Sequence, residues 1–198
     1  SRVVAAGADF VVPGARRTTL RSRRPVIAVT AVRTGVGKSQ TTRYVAALLQ
    51  SMGLRVVAVR HPMPYGDLAA QTCQRFETHA DLVRHDCTIE EREEYEPHID
   101  AGVVVYAGVD YGAILREAEA EADVVLWDGG NNDLPFYVPD LHIVLADPLR
   151  PGDEAAFHPG EANVRMADLV IIAKCDSATA GDIAAVEASV QALNPRAE

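Results

Sequence analysis

Six short apolar runs, rich in β-branched residues, recur along the chain, at residues 26–29, 56–59, 103–106, 124–127, 143–146 and 169–173. They are continuous rather than alternating, the pattern of strands buried on both faces of a parallel sheet. Helical spacing lies between them. Val45, Leu48, Leu49 and Met52 fall at i, i+3, i+4 and i+7, which predicts a helix over residues 40–52 with one apolar face and a stop at Gly53. Ile183, Val186, Val190 and Leu193 predict a last helix, opened by Thr179 with Asp182 three residues on and closed before Pro195. Such alternation predicts an α/β fold: a doubly wound, mainly parallel sheet with helices on both faces and ligands at the carboxyl ends of its strands.

Both ends depart from the pattern. Residues 3–14 have strand character without a helix to pair with, and Arg16, Arg17, Arg21, Arg23 and Arg24 then lead into the first core run. Residues 1–24 are expected to be the remnant of a preceding domain plus linker. Residues 25–198 are expected to form one nucleotide-binding domain, C-terminally incomplete because the pattern would next want a strand. With 198 residues and a net charge of −9, the chain is long enough for one sizeable core and carries no electrostatic footprint for nucleic acid. No apolar run approaches a bilayer span, so a cytoplasmic protein with no membrane contact is expected. The three cysteines, Cys73, Cys87 and Cys175, include no CxxC pair. Cys73, His79, His85 and Cys87 lie close in sequence but lack recognisable metal-ligand spacing.

The segment Arg33-Thr34-Gly35-Val36-Gly37-Lys38-Ser39 joins the first apolar run to the first helical pattern. A strand, a glycine-containing loop and a helix N-terminus can surround phosphate oxygens with backbone N–H groups, and the helix dipole favours the same negative charge. Thr34, Gly35, Val36, Gly37, Lys38, Ser39 and Gln40 are therefore candidate nucleotide contacts. Lys38 would reach the β- and γ-phosphates, and the Ser39 hydroxyl would be a ligand for Mg²⁺. Val32 stands where the full GxxxxGK[ST] pattern has its first glycine. The loop resembles the variant form found in dethiobiotin synthetase and the partition-type ATPases. In many of those a lysine at the loop's start reaches a partner's nucleotide across a dimer, so the resemblance implies a homodimer with Arg33 as a catalytic finger; a solvated loop charge is the plainer alternative.

Further candidates end later strands. Asp128, after Val124-Val125-Leu126-Trp127, occupies the place of the carboxylate that holds Mg²⁺ or its water shell, with Asn131 close behind for phosphate or water. Ala173-Lys174-Cys175-Asp176 resembles the Asn-Lys-x-Asp motif for a purine base, with alanine in place of the asparagine, so Lys174 and Asp176 are candidate base contacts and ATP and GTP both stay open. Arg60 and His61 follow the second apolar run and Arg150 follows the fifth; these would bind an anionic co-substrate, with His61 also able to shuttle a proton. The acidic run Glu90, Glu91, Glu93, Glu94 and Glu96 reads as a solvated helix face.

Taken with Arg60-His61-Pro62-Met63-Pro64-Tyr65-Gly66-Asp67-Leu68, Glu93-Glu94-Tyr95-Glu96-Pro97-His98-Ile99, Trp127-Asp128-Gly129-Gly130-Asn131-Asn132-Asp133 and Asp147-Pro148, the loop resembles the cyclic 2,3-diphosphoglycerate synthetase family from about Ala5 onward. Members of that family are longer at both ends. The resemblance implies an ATP-dependent ligase that closes a small phosphorylated metabolite into an intramolecular phosphoanhydride, with Mg²⁺ as cofactor. Lys38, Ser39 and Asp128 would serve the nucleotide, and Arg33, Arg60, His61 and Arg150 the phosphates. The competing expectation is a regulatory switch that hydrolyses GTP or ATP, as in the partition-type ATPases.

Overall fold

The structure, a computed structural model, describes residues 2–63, 67–130 and 133–198. In chain order the elements are α1 (Arg2–Ala5), α2 (Ala15–Thr18), β1 (Val26–Ala31), α3 (Lys38–Ser51), β2 (Val56–Arg60), β3 (Gln74–Phe76), α4 (His79–Arg84), α5 (Ile89–Asp100), β4 (Val104–Ala107), α6 (Tyr111–Glu121), β5 (Val124–Asp128), β6 (Leu141–Ala146), α7 (Asp153–Ala156), α8 (Gly160–Met166), β7 (Leu169–Ile172) and α9 (Ala180–Leu193). All six apolar runs are strands. The strands form one sheet in the order β3-β4-β2-β5-β1-β6-β7. Every pairing is parallel except that of β3 with β4.

Side-chain alternation divides the core. Val29, Val56, Ala58, Val124 and Leu126 pack on one face with Ala46 and Leu49 of α3, Leu82 of α4 and Tyr95 and Ile99 of α5. Val26, Ala28, Val57, Val59, Val125 and Trp127 pack on the other with Ile114, Leu115 and Ala118 of α6. This is the expected doubly wound arrangement. β1 lies between β5 and β6, and the chain leaves it first toward β2 and later toward β6, so the loop after β1 opens at the point where the winding reverses.

Local sequence explains the element ends. Thr179 caps α9 by accepting from the Asp182 backbone N–H at 3.2 Å, as predicted. Gly53, just past α3, has φ +80, a left-handed conformation that a residue without Cβ adopts at little cost. Two features differ from expectation. β3, an antiparallel edge strand of three residues, carries no periodic signal. Residues 3–14 are not a strand: α1 occupies the start, Phe10, Val11 and Val12 are exposed, and no partner strand meets them among the described residues. Part of the expected linker is docked, since Leu20 exchanges backbone hydrogen bonds of 2.8 Å with Phe136 and Val138.

Candidate functional site

β1 ends at Ala31, and the loop that follows turns twice through left-handed backbone, at Gly35 (φ +81) and Gly37 (φ +116), before α3 begins at Lys38. Only glycine holds both positions without strain, and space is open beyond Gly35. The loop and the α3 N-terminus form one wall of a cavity of about 720 Å³ that every candidate from Thr34 to Gln40 lines. Arg60, His61, Glu94, Asp133, Ala173 and Lys174 also line it.

Behind the lining, paired with its Lys38 and Arg60, lies a carboxylate with four donors. Asp128, fully buried, accepts from Lys38 Nζ at 2.5 Å and the Thr42 hydroxyl at 3.1 Å on Oδ1. On Oδ2 it meets the Arg60 guanidinium and His98 Nε2, the latter at 3.1 Å. Strand register causes the meeting. Val59 lies opposite Trp127, so Arg60 and Asp128 emerge side by side, one residue beyond the apolar stretches and on the α3/α5 face. Burial alone would raise the Asp128 carboxyl; Arg60, the His98 hydrogen bond and Lys38 together override it and hold it well below the usual carboxylate range. Burial, aided by Arg60, pulls Lys38 below its ordinary value against the opposing pull of Asp128.

Arg60 is shared. Its second nitrogen pairs with Glu94 on α5, so a residue of the acidic run reaches the cavity instead of lying on a solvated face. Another, Glu91, is buried and caps its own helix by accepting from the Thr88 backbone N–H at 2.9 Å. His98, absent from the sequence-based candidates, lies one turn beyond Glu94. The signal was there: Glu91, Tyr95, His98 and Ile99 are the buried register of α5, and a histidine on that stripe faces the strand ends. His61 lines the cavity with Nδ1 3.3 Å from Asp133 Oδ2. Burial lowers its pKa, with Arg60 and Lys38 adding to the effect and Asp133 opposing it. Burial thus favours its neutral, hydrogen-bonding form.

Other candidates lie elsewhere. Arg33 turns away from the cavity onto Asp153, at 3.0 Å, and Asp147, at 3.7 Å. Lys174 lines the cavity with its Nζ donating to Asp147 at 2.8 Å, whereas Asp176 is exposed and outside the lining. Arg150 is also exposed and outside the lining, its backbone N–H closing a turn onto Asp147. In each loop a nearby carboxylate or turn decides the direction of the side chain, which strand-end placement alone does not fix. Asn131 lies outside the described residues. His79 pairs with Asp100 and His85 packs edge-on to Phe76, and no group of three or more metal-ligating side chains occurs among the described residues. No described helix is long and apolar enough to cross a membrane.

For Mg²⁺ the donor set fits in part. Ser39 is exposed on the cavity wall, whereas both Asp128 oxygens are occupied by hydrogen-bond donors.

No family model matches the chain. It is 64% identical over 197 residues to arginine synthetase ArcE of Thermococcus kodakarensis, covering 100% of this chain and 44% of that protein. The chain thus spans less than half the length of the curated relative it matches. Among solved structures, LpxK from Aquifex aeolicus in complex with ATP superposes with a TM-score of 0.60 at 20% identity, over 81% of this chain and 51% of that one. A hydrogenase maturation factor HypB from Archaeoglobus fulgidus follows, with a TM-score of 0.49 at 16% identity over 88% and 79%. The fold is that of the P-loop NTPases.

Proposed function

We propose that the chain is the nucleotide-binding part of an ATP-dependent synthetase with arginine as its product, as the name of its relative implies. The observation that carries this reading is a single cavity joining the phosphate loop to Arg60, His61, Glu94 and Asp133. A nucleotide held by the loop would present its γ-phosphate toward those four side chains, where an acceptor has room. The β–γ bridging P–O bond breaks as a bond forms to an acceptor oxygen, and a second nucleophile then expels orthophosphate. Positioning and charge neutralisation supply most of the catalysis in such transfers. Lys38 serves the β- and γ-phosphates, and Arg60 the transferring group. Mg²⁺, carried by phosphate oxygens and the Ser39 hydroxyl with Asp128 acting through water, would neutralise developing charge.

The charge balance bears on the acceptor. Lys38, Arg60 and Lys174 on the lining are paired with Asp128, Glu94 and Asp147, two of these carboxylates buried behind it, and Asp133 adds a fourth carboxylate. That set suits an acceptor with a positive group better than a polyanion. Closure of 2,3-diphosphoglycerate, implied by the sequence resemblance, is the second reading; Arg60 at the cavity favours it and the carboxylates oppose it. ATP as the nucleotide rests on the same reading, with GTP the alternative.

The test is nucleotide turnover with Mg²⁺ in two arms: ATP formation from ADP, orthophosphate and arginine, and orthophosphate release from ATP with 2,3-diphosphoglycerate. Arginine-dependent ATP formation supports the proposal, and diphosphoglycerate-dependent release supports the second reading. Slow hydrolysis indifferent to both would replace them with a regulatory switch.

A further inference from the structure

Asp128 is over-committed in this state. Lys38 and Thr42 occupy Oδ1, and Arg60 and His98 occupy Oδ2. If the nucleotide reading above holds, two of these donors are needed elsewhere. Lys38 must leave Oδ1 to reach phosphate, and Arg60, already divided between Asp128 and Glu94, must turn to the transferring group or the acceptor. Both lie on the cavity wall. His98 does not: it is 3% exposed, fixed on the buried stripe of α5 between Tyr95 and Ile99, and outside the cavity lining. Its Nδ1 is buried and has no hydrogen-bond partner. The useful proton is therefore on Nε2, donated to Asp128.

We infer that His98 is a positioning residue for Asp128, the one donor that keeps Oδ2 in place while Lys38 and Arg60 exchange the carboxylate for phosphate. With Oδ2 held, the departure of Lys38 leaves Oδ1 with Thr42 as its remaining donor and a lone pair free to accept from water around Mg²⁺. Without His98, Thr42 on Oδ1 is the one described donor left once Lys38 and Arg60 depart, and Oδ2 can rotate or follow Arg60. Groups that orient a metal-serving side chain from behind typically change metal affinity or activity 10- to 100-fold when removed.

The test compares His98→Leu, which keeps volume but removes the donor, with His98→Gln, which retains an N–H at similar reach. Calorimetric ATP binding is measured across a Mg²⁺ titration and again without Mg²⁺, with turnover as a second readout. His98→Leu should raise the Mg²⁺ needed for half-maximal ATP binding by about tenfold and leave Mg²⁺-free ATP affinity near wild type. His98→Gln should recover most of the loss. Wild-type Mg²⁺ dependence in His98→Leu, equal impairment in both variants, or an equal fall in Mg²⁺-free affinity would each overturn the assignment. Wild-type protein that binds no Mg·ATP would instead sink the nucleotide reading. If His98→Leu does not fold, His98→Ala against His98→Gln makes the same comparison.

Discussion

Arg60 and Asp128 end neighbouring parallel strands and form an ion pair inside the protein, each at most 2% exposed. Two charges removed from water are tolerable only as partners, and this carboxylate also takes Lys38 and His98. The site is thus a folding element as well as a chemical one, which gives each substitution there two readouts.

Asp128→Asn keeps the shape and removes the charge that compensates both Lys38 and Arg60. Breaking a buried pair from one side costs about 3–5 kcal/mol, so denaturant unfolding should show a loss of that order. Turnover should fall more than nucleotide affinity, and most at low Mg²⁺. A variant with wild-type stability would show that solvent reaches and screens the site; one with wild-type turnover at low Mg²⁺ would remove Asp128 from the chemistry.

Lys38→Ala removes a charge-assisted contact worth about 1.5–3 kcal/mol, so calorimetry should find ATP affinity reduced by at least about tenfold. Its stability cost should be smaller than that of Asp128→Asn, because Asp128 keeps Arg60, His98 and Thr42. Unchanged ATP affinity would sink the phosphate-loop assignment.

The sheet and the centre of the site were legible because both follow from strand ends. A continuous apolar run closed by a polar residue identifies the side chain delivered to the ligand edge, and Arg60, Asp128 and the loop before Lys38 all have that form. Glu94 and His98 were hidden by composition, since the acidic run of α5 reads as solvated until docking fixes which stripe is buried. Arg33 and Arg150 show the opposite failure. Placement in the right loops did not determine their direction, because Asp147 and Asp153 capture the Arg33 guanidinium and a turn onto Asp147 leaves Arg150 in solvent. β3 was invisible because three residues carry no period.

Arg33→Ala separates two roles for the loop's basic residue. Its ion pairs are partly exposed, and such pairs contribute about 0–1 kcal/mol. Stability should change by no more than that, and turnover by less than about fivefold, the rate equivalent of such a term. A finger acting in a partner's site would have to abandon Asp153 and Asp147. A loss of turnover of about a thousandfold or more, the scale of an arginine finger, would show that Arg33 leaves those carboxylates for a reacting phosphate.

His142 gives the fold its own pH dependence, away from the cavity. It is 1% exposed, with Nε2 3.0 Å from the Thr30 hydroxyl, and burial pushes its pKa down to about 4. The unfolded chain takes up a proton near the ordinary 6.5, whereas the folded protein resists until about 4. Between those values the unfolded state binds more protons, so stability falls as pH falls through that window and is fully present above it. At roughly 1.4 kcal/mol per tenfold in proton affinity, the loss attributable to His142 approaches about 3 kcal/mol at pH 4. His142→Gln cannot take up that proton, so its denaturant midpoint should decline less than that of wild type from pH 6.5 to 4, with the two curves parallel above pH 7. Parallel curves throughout would mean that the imidazole is protonated in the folded protein and that the acid sensitivity lies with the carboxylates.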